Sequence, residues 1–306
     1  MGRRNLPAPF VTVIVTNFTY GLGNQLFQYA TGYALASLNN TEHVMDIVSG
    51  LSVPRESNHI YLFSPESREA SFPELLELSN VFSLSPSKLA DIRYDEDVLR
   101  SLDPKLVIES GMGYEPSLRS NRIANGYLLG YWQSYLYFED CIDDLRRQFQ
   151  LRQRPLEQTQ RLAETIQQSN SISMHVRRGD YLKPAHASFH GNLTIDYYAA
   201  AIDLIAKRTE RASVYVFSDD IAWTKTNSKF SIPTIFVDHT SAATAHEDLY
   251  LMTLCRHSIV ANSTFSWWGA WLSKRDGIRI APRRWFAIEK LNQTTETLIP
   301  KTWERI

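Results

Sequence analysis

The chain has 306 residues, 43% hydrophobic and 21% charged, which is enough apolar material for packed cores and excludes general disorder. Lys and Arg total 32 against 33 Asp and Glu, a net charge of −1, so no nucleic-acid polymer is expected as partner, while a small anion held by a few arginines stays open. Two cysteines, Cys141 and Cys255, exclude a disulfide framework and a four-ligand zinc site, and two unpaired buried thiols are expected.

No apolar run approaches the roughly 20 residues needed to span a bilayer. The stretch Phe10 to Val15 is too short for a signal-peptide core. Aromatic residues reach 12%, as core or as a platform for a ring-shaped ligand.

In chain order, the β-branched run Val11–Val15 reads as a buried strand. The turn Tyr20-Gly-Leu-Gly23 follows, and Leu26, Phe27, Ala30, Tyr33, Ala34 and Leu38 then recur at helical spacing from Asn24 onward. Between Val48 and Gln133 prolines interrupt the pattern, although Tyr127–Trp132 reads as a strand. Phe138–Phe149 reads as a charged helix, and a domain boundary is expected between Gln150 and Leu156, giving domains 1–152 and 153–306.

The second half alternates strands and helices. Strands are expected at Ser171–Val176, Ser213–Phe217, Thr234–Val237, Ser258–Ala261 and Ile278–Ala281. Helices are expected at Ile195–Arg208, Ile221–Lys229, His246–Arg256 and Phe265–Leu272. This alternation predicts an α/β chain with a parallel sheet covered on both faces.

In such a sheet ligands bind beyond the carboxyl ends of the strands. Four segments qualify. In Asn262-Ser-Thr-Phe-Ser266 a helix N-terminus with added hydroxyls suits a phosphate, or is simply a capped helix. In His175-Val-Arg-Arg-Gly-Asp180 the arginine forks match phosphate oxygens, Gly179 permits a tight turn, and Asp180 orients an arginine, acts as a base or caps the loop. Carboxylates in Ser218-Asp-Asp220 suit ribose or guanine, or cap the next helix. Gly21-Leu-Gly23 lacks the third glycine of a dinucleotide fingerprint, which disfavours a nicotinamide cofactor.

Together, residues 20–30, 175–182, 217–220 and 262–272 resemble the α-1,2-fucosyltransferases of glycosyltransferase family 11, of bacterial type. The resemblance implies a GT-B fold, two Rossmann-like domains facing across a cleft. The first would lie on the acceptor side and the second would bind GDP-fucose, with the C-terminal tail packing back on the first. It implies inverting transfer of fucose to the 2-hydroxyl of a terminal β-galactoside, with no cofactor and no metal.

Carried over by residue, Arg177 would hold the β-phosphate and the leaving oxygen, and His175, Ser218 and Asp219 would lie near the guanosine. Asn262, Ser263, Thr264, Phe265 and Ser266 would surround the pyrophosphate; Asn24 and Gln25 would face the cleft, and Arg178 would assist. Asp180 is the first candidate base and His190, in the loop Phe189–Asn192, the second.

Two alternatives stand beside this reading: a protein O- or α-1,6-fucosyltransferase, and a non-catalytic glycan-binding module. The tryptophan run Trp267, Trp268 and Trp271 is expected to be core packing rather than a sugar platform. A cytoplasmic enzyme with room for peripheral membrane association is expected; a Golgi-lumen placement applies if an N-terminal anchor has been removed.

Overall fold

The computed structural model describes residues 12–18, 20–46, 105–123, 125–241 and 244–306. Val11 and the proline-broken stretch 47–104 lie outside that set.

In the first half, strand β1 (Val13–Asn17) leads through a turn into helix α1 (Leu22–Asn39) and strand β2 (Glu42–Asp46). Strand β3 (Lys105–Ile108), helix α2 (Pro116–Ser120), strand β4 (Gly126–Leu129) and helix α3 (Ile142–Gln148) follow. The strands form a four-stranded parallel sheet in the order β2-β1-β4-β3. β1 is buried along its whole length, as its β-branched run requires of a central strand. The strand expected over Tyr127–Trp132 stops at Leu129, and three residues on Trp132 takes φ 58°, a left-handed backbone outside the strand region.

The second half runs α4 (Glu157–Gln167), β5 (Asn170–Val176), α5 (Pro184–His190), α6 (Ile195–Ala206), β6 (Ala212–Ser218), α7 (Ile221–Asn227) and β7 (Thr234–Phe236). It continues with α8 (Ala245–Leu254), β8 (His257–Ile259), α9 (Thr264–Leu272), β9 (Arg279–Ala281), α10 (Glu289–Asn292) and β10 (Glu304–Arg305). Its six parallel strands lie in the order β10-β9-β8-β5-β6-β7. The loop expected around His190 is instead the end of α5, a helix started by Pro184, whose missing N–H costs nothing in a first turn.

One aromatic core joins the halves. Trp267 and Trp268 on α9 are fully buried, and Phe27 of α1 lies with its ring 4.6 Å from Trp267 and 5.0 Å from Trp268. Phe138 stacks on Trp268 at 5.3 Å and meets Trp271 edge-on at 5.3 Å. Burying side chains of this size stabilises by roughly 4–6 kcal/mol each as an upper figure. Arg146 on α3 donates from Nε to the Leu272 carbonyl at 3.1 Å and from Nη2 to the Ser273 carbonyl at 2.9 Å, so a first-half cation closes the negative end of α9. The segment after α10 also reaches the first half: the Thr297 carbonyl accepts from Ser134 Oγ at 2.8 Å and its hydroxyl from the Tyr114 amide at 3.0 Å.

Candidate active site

The carboxyl ends of β5 and β6 lie side by side, with Val176 registered on Ser218. That register places Arg177 and Arg178 opposite Asp219 and Asp220. Arg177 Nη1 lies 3.0 Å from Asp219 Oδ2, and the Arg178 amide donates to Asp219 Oδ1 at 2.8 Å. Gly179 answers to space rather than to turn geometry: its φ is not left-handed, and a Cβ there would sit 2.7 Å from Asp219 Oδ2.

The Arg178 guanidinium stacks 3.5 Å above the Trp223 ring and lies 3.5 Å from Asp220 Oδ2. Asp220 is also the cap of α7, accepting from the Trp223 amide at 3.2 Å. Ser218 Oγ turns to the same helix start, accepting from the Asp220 amide at 3.0 Å. The two adjacent arginines therefore differ: Arg178 is fixed on Trp223 and Asp220, while Arg177 lies over Tyr181, 5.5 Å from its ring centre.

His175 is buried inside this group, its ring 5.5 Å from that of Phe265. Burial pushes its pKa down to about 4, with Arg177 adding to the fall and Asp219 opposing it, so the imidazole is neutral at pH 7. Its Nδ1 has no hydrogen-bond partner among the described residues.

α1 and α9 bring their N-termini together. Thr264 Oγ1 donates to Asn24 Oδ1 at 2.9 Å, and Trp268 Nε1 donates to the Gly23 carbonyl at 3.0 Å. A Cβ at Gly23 would lie 2.5 Å from the Phe265 amide nitrogen, so only glycine permits this approach. Two positive helix ends then meet within one turn of each other, an arrangement that favours an anion between or beside them.

The remaining expected residues occupy supporting positions. Gln25 is buried and donates to the Tyr20 carbonyl at 2.7 Å. Asn262 is buried and donates to the carbonyls of His190 at 2.9 Å and Trp285 at 3.2 Å. Ser266 Oγ turns back to the Ser263 carbonyl at 3.1 Å, and Ser263 is the residue before α9. His190 stacks face to face on Tyr181 at 4.4 Å, so Arg177, Tyr181 and His190 form one row. Tyr181 is anchored by its hydroxyl, which donates to the Asn262 carbonyl at 3.0 Å. The backbone of Asp180 begins the short 3-10 turn Asp180–Leu182, while its side chain lies outside the described set.

Sequence reasoning missed Tyr181, Trp223 and the first-half wall. The signal for Tyr181 was an aromatic five residues after the end of β5 and three after Arg178. On the first-half wall Glu109, next after β3, accepts from the Tyr131 amide at 2.6 Å and the Trp132 amide at 3.0 Å.

The family model of glycosyl transferase family 11 matches residues 117–306, more than half of the chain. The Escherichia coli alpha-1,2-colitosyltransferase is 32% identical over 307 residues, covering 97% of this chain and 99% of its own length. The chain belongs to glycosyltransferase family 11. The transferase is also 27% identical over 269 residues to the Pan troglodytes galactoside alpha-(1,2)-fucosyltransferase 1, covering 85% of this chain and 65% of that protein. Among solved structures, a variant of Arabidopsis thaliana FUT1 in complex with GDP superposes with a TM-score of 0.50 at 13% identity, covering 88% of this chain and 70% of that one. The architecture of the transferase is the GT-B fold, with its two parallel sheets as the two Rossmann-like units. Among the described residues no helix is long and apolar enough to cross a membrane.

Proposed function

We propose that this glycosyltransferase moves L-fucose from GDP-β-L-fucose to the 2-hydroxyl of a terminal β-galactoside, with inversion to an α linkage. The observation that carries the reading is the meeting of the α1 and α9 N-termini, with Gly23 against Phe265, linked to Arg177 through His175 and Tyr181. As the glycosidic bond breaks, negative charge grows on the departing diphosphate. Arg177 and the unpaired amides of the first α9 turn stabilise that charge as it develops. Neutral His175 and Asp219 flank the same strand ends, where the nucleoside would lie.

Asp219 and Asp220 are engaged by Arg177 and Arg178, which leaves them poorly disposed to hold a divalent cation. The reading therefore includes metal-independent turnover; loss of activity in EDTA with recovery on adding Mn²⁺ would overturn that part. For the proton of the acceptor hydroxyl, His190 on the Arg177–Tyr181 row and Asp180 are the two bases to test. The family's colitosyltransferase, at 32% identity, favours a second donor, GDP-colitose. Release of GDP measured side by side with GDP-fucose and GDP-colitose, using lactose as acceptor and NMR to assign the linkage, tests both. A product linked elsewhere than O2 of galactose would overturn the proposal.

A further inference from the structure

On the first-half side of the cleft, two bulky aromatic residues are held in a left-handed backbone: Tyr20 at φ 65° and Trp132 at φ 58°. Such positions are costly for side chains with a Cβ and persist only where surrounding contacts impose them. Here they do. Gln25 Nε2 holds the Tyr20 carbonyl at 2.7 Å, Glu109 holds the amides of Tyr131 and Trp132, and Gln28 Nε2 holds the Gly130 carbonyl at 3.0 Å. Gln133 Nε2 completes the clasp by donating to Asn24 Oδ1 at 3.1 Å, the same oxygen that receives Thr264. Any Cβ at Gly130 would collide with Cβ of Glu109, so the carboxylate is seated there by a glycine.

All this strain and bonding fixes one object. The rings of Tyr20 and Tyr131 stack at 5.3 Å with an interplanar angle of 27°. The pair sits beyond the carboxyl ends of β1 and β4, and Tyr20 lies three residues before the Gly23 that touches α9. Across the cleft stands Tyr181, which, with Tyr20 and Glu109, adds to the upward push that burial gives the Tyr131 phenol. The named groups of this wall are phenols, carboxamides and one carboxylate, with no cation among them. The charged diphosphate of a donor finds no counter-charge there. A neutral pyranose fits, since its C–H face packs on an aromatic face and its hydroxyls meet phenol oxygens.

We infer that the Tyr20–Tyr131 pair is the subsite for the acceptor pyranoside and that Glu109 is the positioning residue that holds it in place. The inference rests on the proposed transfer to a β-galactoside and names the wall that receives the sugar.

The test pairs binding with kinetics. Saturation-transfer NMR with N-acetyllactosamine and the GDP-loaded protein reads acceptor binding without any transfer. In parallel, acceptor KM, kcat and GDP affinity are measured for Tyr131→Ala, Tyr131→Phe and Glu109→Gln. Tyr131→Ala is expected to raise acceptor KM by about tenfold or more and to lose the NMR signal, with GDP affinity within about twofold of wild type. Tyr131→Phe, which keeps the stack, should recover most of the KM. Glu109→Gln should shift acceptor KM in the same direction while the protein stays folded and GDP affinity holds.

An unchanged acceptor KM in folded Tyr131→Ala, or a GDP affinity that falls as far as acceptor binding, overturns the subsite. Wild-type protein that binds N-acetyllactosamine but transfers no fucose to it overturns the donor reading and leaves the subsite standing. Wild-type protein that binds no galactoside overturns both.

Discussion

The two sheets present unlike walls at equivalent places. Beyond the second sheet, Arg177, Arg178, Asp219 and Asp220 form paired charges on relaxed backbone, fixed by the register of two long strands. Beyond the first sheet, Tyr20, Tyr131 and Glu109 form an aromatic surface on strained backbone, fixed by side-chain clasps. A charged wall needs only correct spacing, because Coulombic attraction tolerates small errors in angle. A stacking wall needs its plane held, and here the backbone carries that strain.

Trp268→Ala, in the core between the walls, should cost about 3–5 kcal/mol, seen as a lower urea midpoint for one cooperative transition. If the halves instead unfold in two separate steps, the shared core is not what joins them. Arg177→Ala should lower kcat by about 10²–10³-fold with little change in acceptor KM, as expected for a group acting on charge that develops in the transition state.

Glycine substitutions compare the walls directly. Gly179→Ala pushes on Asp219 and should weaken GDP binding by about tenfold while sparing acceptor KM. Gly130→Ala pushes on Glu109 and should do the reverse, and calorimetry with GDP beside acceptor kinetics separates them.

The smallest effect is in pH. Burial raises the Glu109 carboxyl from 4.5 to about 7, although the bonds from the Tyr131 and Trp132 amides lower it. Folding therefore favours its protonated form, a contribution fully present below 4.5 and lost as pH rises through 7. His175, pushed from 6.5 to about 4, contributes stability above 6.5 that is lost as pH falls through 4. Glu109→Gln should thus gain stability relative to wild type on going from about pH 5 to 7.5, and His175→Phe should gain on going the other way. Parallel shifts in the two urea midpoints would contradict this.

The second half was legible because its strands are short, mostly apolar runs followed at once by polar residues, as in Val214-Tyr-Val-Phe-Ser-Asp-Asp220. The register that pairs Arg177 with Asp219 follows from two strands both ending where charge begins. The first wall carried no such signal. Glu109 follows a strand of four residues, Lys105–Ile108, too short for periodicity to show. Its role depends on amides at Tyr131 and Trp132, far along the chain, and on backbone angles that side-chain identity argues against. The division of labour between Arg177 and Arg178 was equally hidden, since it turns on Trp223 lying beneath only one of them.

The contact between Gly23 and the start of α9 bears on how such transferases can be recombined. Exchanging everything before residue 153 for the corresponding part of a relative would replace Phe27, Phe138 and Arg146 while keeping the α9 that they pack on and cap. The same cut would trade one partner of the Asn24–Thr264 bond. A cut at residue 153 therefore divides one packed core rather than two separate ones. A graft that respects the structure keeps α1 and α3 with the α9 on which they pack.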